Sequence, residues 1–162
     1  MPEVICNTSP LQYLHQIGQL QLLQALAGTI FIPPAVSCEL SEGRSRGVDL
    51  PDLAALSWVL IRTPISAPAT SLIADLGPGE TQVLMLALET PGAIVVLDDA
   101  RARRVAETRQ IPFTGTLGIL LDAKRVGFIS SIKPSLEQLQ LLRFRLATHT
   151  RVAVLKLAGE SD

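Results

Sequence analysis

Short runs of consecutive apolar residues alternate along this chain with stretches whose apolar positions recur every three or four residues. The first run, Glu3-Val4-Ile5-Cys6, ends at Asn7-Thr8-Ser9-Pro10, and a short apolar run closed by turn residues reads as a buried strand. Ser9 followed by Pro10 predicts a helix start, a hydroxyl cap and then proline at the first helical position. Leu11, Leu14 and Ile17 keep helical spacing as far as Gly18, and Leu20, Leu22, Leu23 and Leu26 repeat the pattern as far as Gly28. A second strand is predicted over 29–32, and Pro33-Pro34 opens a helix carrying Val36, Glu39 and Leu40. Residues 43–52, rich in Gly, Arg, Ser and Asp, read as an exposed loop, and 58–61 as a third strand.

Gly77-Pro78-Gly79 introduces a strongly apolar helix over 80–88. The clearest buried strand, 94–97, has Asp98-Asp99 directly at its C-terminal end. Helices over 100–109 and 116–126 flank a short strand near 111–114, and two more helices fall at about 134–143 and 148–158. Regular alternation of strand and helix predicts βαβ units. The fold class is therefore α/β, a three-layer α/β/α arrangement on a central parallel sheet of four or five strands. With no internal repeat and no linker, 1–162 reads as a single domain.

Composition sharpens this picture. The chain is 48% apolar and 4% aromatic, so the core must be built from Leu, Ile, Val and Ala, which suits helices on a parallel sheet. Residues 4–38 hold no Asp, Glu, Lys or Arg, yet prolines and Gln interrupt them and no run of about 20 apolar residues is present, so no membrane span is expected. Two cysteines, Cys6 and Cys38, and an N-terminus without a basic leader point to the cytoplasm, with both thiols reduced and buried. Net charge is −1, but residues 1–98 carry 9 acids and 3 bases while 99–162 carry 6 acids and 11 bases, an asymmetry that hints at nucleic-acid contact.

Ligands of open parallel sheets bind at the carboxyl ends of the strands. Asn7-Thr8-Ser9 and Asp98-Asp99 both occupy that position. Adjacent carboxylates repel unless a positive charge lies between them, and a hard divalent cation is the usual solution. One of the two aspartates can cap the following helix, which leaves the other over. Glu39 sits in an otherwise apolar stretch, and Glu80 opens an apolar helix, where the helix dipole also favours an acid. His15 and His149 are isolated, no Ser-His-Asp or Cys-His set is present, and Gly77-Pro78-Gly79 lacks the Lys of a phosphate loop.

Together these segments resemble a known family. Val4 to Leu11, with a polar residue closing the first strand and Thr8 and Ser9 after it, resembles the first motif of PIN domains. Ile32-Pro33-Pro34-Ala35-Val36 with Glu39-Leu40 is similar to the second motif, Gly79-Glu80 to the third, and Val95-Val96-Leu97-Asp98-Asp99 to the fourth. The segment from Gly115-Thr116 to Ile129 extends the likeness to the prokaryotic branch known as domain of unknown function 3368, over nearly the whole chain. The resemblance implies a PIN-like fold and a metal-dependent ribonuclease related to the toxins of toxin–antitoxin pairs. It implies Mg²⁺ or Mn²⁺ held by Glu39, Glu80 and Asp99, with Asp98 assisting or capping, and Asn7 in the catalytic set. Thr8, Ser9 and Thr116, with Arg101 and Arg104, would serve RNA, single-stranded or structured.

Asn7 departs from the pattern, because active PIN nucleases usually carry Asp there. An amide oxygen can coordinate a cation but brings no charge and cannot act as a base. Three functions are therefore in view: a ribonuclease toxin with a small antitoxin partner, a PIN-like binding or regulatory module that has lost cleavage, and a structural protein whose acids only cap helices. The uncharged helices bearing Gln16, Gln19, Gln21 and Gln24 are a candidate surface for a homodimer or for the antitoxin.

Overall fold

The computed structural model describes residues 2–66 and 75–162. Its elements run β1 (Val4–Cys6), α1 (Thr8–Gln16), α2 (Gln21–Ala27), β2 (Ile30–Ile32), α3 (Pro34–Ser45), a 3₁₀ turn (Leu53–Ala55) and β3 (Val59–Ile61). Then follow α4 (Pro78–Glu89), β4 (Ile94–Val96), α5 (Ala100–Thr108), β5 (Phe113–Thr114), α6 (Thr116–Arg125), α7 (Lys133–Leu141) and α8 (Thr148–Leu157). Among the described residues the strands form one parallel sheet in the order β3-β2-β1-β4-β5.

Apolar runs become strands here because both faces of the sheet are covered. Successive side chains of a strand point to opposite faces, and Ile5 and Cys6 on β1, and Val95 and Val96 on β4, are all buried. The three-layer α/β/α architecture predicted from the sequence is what forms. β3 is an edge strand, and Leu60 and Ile61 on it are exposed. Among the described residues no helix is long and apolar enough to cross a membrane.

The order β3-β2-β1-β4-β5 reverses direction of progression at β1, so the topological switch point lies between β1 and β4. Crossover connections leave these two strands in opposite directions and open a crevice beyond their carboxyl ends. Val4 pairs with Ile94 and Cys6 with Val96, and the Asn7 N–H donates to Val96 O at 2.9 Å, so the two strands end level. The residues that follow them are Asn7 and, after Leu97, Asp98.

Three local expectations are corrected. Residues 43–52 are not one exposed loop: α3 continues through Ser45, while Leu50 and Pro51 turn inward and are buried. Cys38 is exposed, because Val36 and Leu40 turn the other side of α3 to the core. Cys6 is buried, and desolvation followed by the charge of Asp98 pushes its thiol far above the ordinary value, so it is no nucleophile. The helix predicted from Ser9-Pro10 begins earlier, at Thr8, with Asn7 as the extended residue before it. Pro10 is tolerated in the first turn because its missing N–H would have had no intrahelical partner.

Glu160, just beyond α8, closes the C-terminal part of the chain. Its carboxylate accepts from Lys124 Nζ of α6 at 2.8 Å, from Ile132 N at 2.9 Å and from Lys133 N at 3.3 Å. Burial raises its pKa, but the Lys124 ammonium and the two backbone N–H groups together outweigh burial and hold it below the ordinary 4.5. A carboxyl with a depressed folded pKa contributes fully above its unfolded value and loses that contribution as pH falls through the folded one. Glu160→Ala should therefore lower stability by about 1–3 kcal/mol at neutral pH. Urea melts of both proteins should show that difference shrinking as the pH falls below about 4.5. A difference that stays constant with pH would mean the ionised clamp contributes nothing.

Candidate acidic site

Asn7 is almost fully buried, at 2% exposure, and its side-chain Oδ1 has no hydrogen-bond partner among the described residues. Buried polar atoms are nearly always paired, because leaving one unpaired forfeits its hydration without return. The carboxylate of Glu39, on the second turn of α3, lies beside it. An alanine Cβ at Gly79 would stand 2.8 and 3.0 Å from the two Glu39 carboxylate oxygens and 3.2 Å from Asn7 Oδ1. The recess between the amide and the carboxylate is open only because residue 79 has no side chain. The Thr8 hydroxyl donates to Glu39 Oε2 and helps to fix the carboxylate. α3 and α4 are held in register by Gln82, whose Oε1 accepts from Ala35 N at 2.9 Å at the start of α3.

The two aspartates after β4 divide their work in the opposite sense to the one expected. Asp99 is the cap: it is the N-cap residue of α5, and its Oδ2 accepts from Ala102 N at 2.9 Å. Asp98 is the hub. Its Oδ1 accepts from Thr116 N at 2.8 Å, and its Oδ2 from Thr116 Oγ1 at 2.7 Å and Ser9 Oγ at 3.1 Å. Arg103 Nη2 stands 3.9 Å from Oδ1, its Nε donates to Leu97 O at 3.0 Å, and its guanidinium lies over the Phe113 ring at 5.2 Å. One carboxylate thus ties the first turns of α1 and α6 to the end of β4. Gly115 permits this approach, since a Cβ there would collide with Arg103 and stand 2.6 Å from Asp98 Oδ1.

Ser9 and Thr116, read from the sequence as groups that serve RNA, donate to Asp98, and Thr116 is fully buried. Thr8 likewise donates to Glu39. Glu80 is the third residue of α4, and its carboxylate folds back toward Gly77, 2.9 Å from where a Cβ of that residue would stand. An acid is favoured there by the helix dipole.

Asn7, Glu80, Asp98 and Asp99 line one cleft of about 570 Å³, together with Ser9, Ala100, Arg101 and Arg104. Of the arginines of α5, Arg101 and Arg104 line this cleft. Arg103 faces Asp98 at 3.9 Å, and Arg109 is the C-cap residue of α5. The remaining wall is formed by Tyr13, Phe144 and Arg145, which the sequence reading did not single out. The alternation Arg143-Phe144-Arg145, basic and aromatic by turns, was the signal available for it.

The acids therefore share a cleft without forming one tight cluster. Among the described residues no three Asp, Glu, His or Cys side chains are grouped closely enough to hold a metal ion by themselves. Asn7 and Glu39 nevertheless suit a hard cation: an unpaired amide oxygen and an oriented carboxylate face one recess, and Mg²⁺ commonly takes one or two protein carboxylates and keeps several waters.

A family model described as a PIN domain matches residues 3–160. No curated protein matches the chain.

Proposed function

The chain belongs to the PIN domain family, a nuclease-like fold whose members generally depend on a divalent metal, and from that premise we propose that it is a Mg²⁺- or Mn²⁺-dependent ribonuclease, the toxin half of a toxin–antitoxin pair. The observation that carries this reading is the unpaired Oδ1 of Asn7 facing the Glu39 carboxylate across Gly79. A cation in that recess would pair both oxygens. It would supply positive charge to the phosphodiester under attack.

The chain's own residues have separable parts in this proposal. Thr8 keeps the Glu39 carboxylate turned toward Asn7. Asp98 fixes Ser9 and Thr116, and with them the starts of α1 and α6 on either side of the crevice. Glu80 and the free oxygen of Asp99 add negative charge to the cleft, and Arg101 and Arg104 draw the polyanion to it. We assign the antitoxin, or a second copy of the chain, to the uncharged α1–α2 surface that carries Gln19, Gln21 and Gln24.

Titration calorimetry with Mn²⁺ tests the proposal. One saturable site is expected in the native protein and none in Glu39→Gln, with Mn²⁺-dependent cleavage of RNA lost in the same variant. Absence of any saturable Mn²⁺ site would make the acids structural. A second reading, a nucleic-acid-binding module without cleavage, is favoured by the amide at Asn7, and RNA binding with saturable Mn²⁺ but no turnover would select it.

A further inference from the structure

The wall of the cleft opposite the acids has a composition of its own. α7 ends in a tight reversal: Arg143 adopts a positive φ of 64°, its N–H donates to Gln140 O and the Phe144 N–H donates to Leu139 O, each at 3.0 Å. Such a left-handed residue just past a helix redirects the chain. Here it brings Phe144 against Tyr13 of α1, ring centroids 4.9 Å apart and planes at 90°, and carries Arg145 into the same cleft. In an edge-to-face pair, the ring that offers its edge keeps both faces uncovered by its neighbour. Both rings are only partly buried, and both line the cleft.

Among the described residues the cations around these rings have no carboxylate partner. Among the described residues Arg44, Arg62, Arg103, Arg125 and Arg151 are each within 4.0 Å of a carboxylate, whereas Arg101, Arg104 and Arg145, like Arg46, Arg109 and Arg143, make no such contact. They stay apart even though Glu80, Asp98 and Asp99 line the same cleft. Three unpaired guanidiniums beside an aromatic pair combine the two elements of a single-stranded nucleic-acid groove, charge along the backbone and a π-surface for a base.

We propose that Tyr13 and Phe144 form a base-stacking subsite for single-stranded RNA, with Arg101, Arg104 and Arg145 on the flanking phosphates. The inference rests on the nucleic-acid reading above and deepens it by naming the residues that would take a base and its flanking phosphates. Duplex RNA keeps its bases stacked on each other, and only an unpaired base can leave its neighbours for a protein ring.

Binding is measured in EDTA by fluorescence anisotropy, so that neither metal nor turnover enters. The probes are a short labelled single-stranded RNA, an abasic strand of the same length and the matched duplex. The native protein should bind the single strand about tenfold more tightly than the abasic one. Phe144→Ala should remove that preference without changing abasic binding, and Phe144→Tyr should restore it. Arg104→Ala should weaken both strands alike and reduce the salt dependence by about one phosphate contact. Equal affinity for base-bearing and abasic strands, equal affinity for the duplex, or an equal loss on both strands in Phe144→Ala would overturn the subsite alone. Failure of the native protein to bind any RNA would remove the ribonuclease reading with it.

Discussion

Replacing Gly79 with alanine should abolish the thermal stabilisation conferred by Mn²⁺ while leaving the metal-free protein folded. Gly79 is the second residue of α4 and has ordinary negative φ, so alanine meets no backbone objection and is the better helix former. What it meets is the site. The new methyl would stand within 3.0 Å of both Glu39 carboxylate oxygens and 3.2 Å from Asn7 Oδ1. Glu39 accepts a hydrogen bond from Thr8, which resists a shift of its carboxylate, and the methyl fills the recess.

A ligand that binds only the native state at 100 times its dissociation constant adds about 2.7 kcal/mol. For a chain of this size that raises the melting temperature by about 5–10 °C. The native protein should show a shift of that order in Mn²⁺, and Gly79→Ala should show almost none. A full Mn²⁺ shift in the alanine variant would place the cation elsewhere in the cleft. A collapse of the metal-free melting temperature would instead show that Gly79 is needed for packing.

The fold was legible because its signals are local. A strand covered on both faces must be apolar at consecutive positions, as Val95, Val96 and Leu97 are, and the polar residues that stop it, Asp98 and Asp99, sit next to it in sequence. Prolines marked the starts of α3 and α4 because Pro34 and Pro78 occupy the first turn, where an N–H would have no partner. Locality also explains the errors. Ser9 before Pro10 has the form of a cap, but its hydroxyl donates to Asp98, 89 residues away. No short-range rule contains that partner. The division between Asp98 and Asp99 was decidable in principle: once α5 is known to start at Ala100, Asp99 is its N-cap and reaches the N–H of Ala102.

The gathering of these residues was legible in the sequence, and the distances between them were not. Asn7, Glu80, Asp98 and Asp99 do line one cleft, and Glu39 reaches Asn7 from the side of α3. Whether acids gathered at a sheet edge touch or merely face each other depends on which way each carboxylate is drawn. Thr8 draws Glu39, Thr116 and Ser9 draw Asp98, and Ala102 draws Asp99. The wall of Tyr13 and Phe144 escaped for a related reason: its partners are 131 positions apart, and the pair exists only through the turn at Arg143.

Asn7→Asp should make the protein less stable without metal and bind metal more tightly. Position 7 is 2% exposed and faces Glu39, so a carboxylate there would lose its hydration and meet a like charge. Both effects raise its folded pKa above the unfolded value of about 3.9. Below that value the introduced carboxyl is neutral in both states and the variant carries no penalty. As pH rises toward the raised folded pKa the penalty grows, and above it the penalty is complete, on the order of 3 kcal/mol for an uncompensated buried charge. In EDTA the variant should therefore melt close to the native protein near pH 4 and well below it near pH 7. Saturating Mn²⁺ should narrow that gap at pH 7 by about 1.4 kcal/mol, because a charged oxygen replaces a neutral one. Affinity for the ion should rise about tenfold, the usual difference between charged and neutral hydrogen-bonding partners. If the variant and the native protein melt together in EDTA at both pH values and bind Mn²⁺ equally, Asn7 does not face a cation site, and its unpaired oxygen has another explanation.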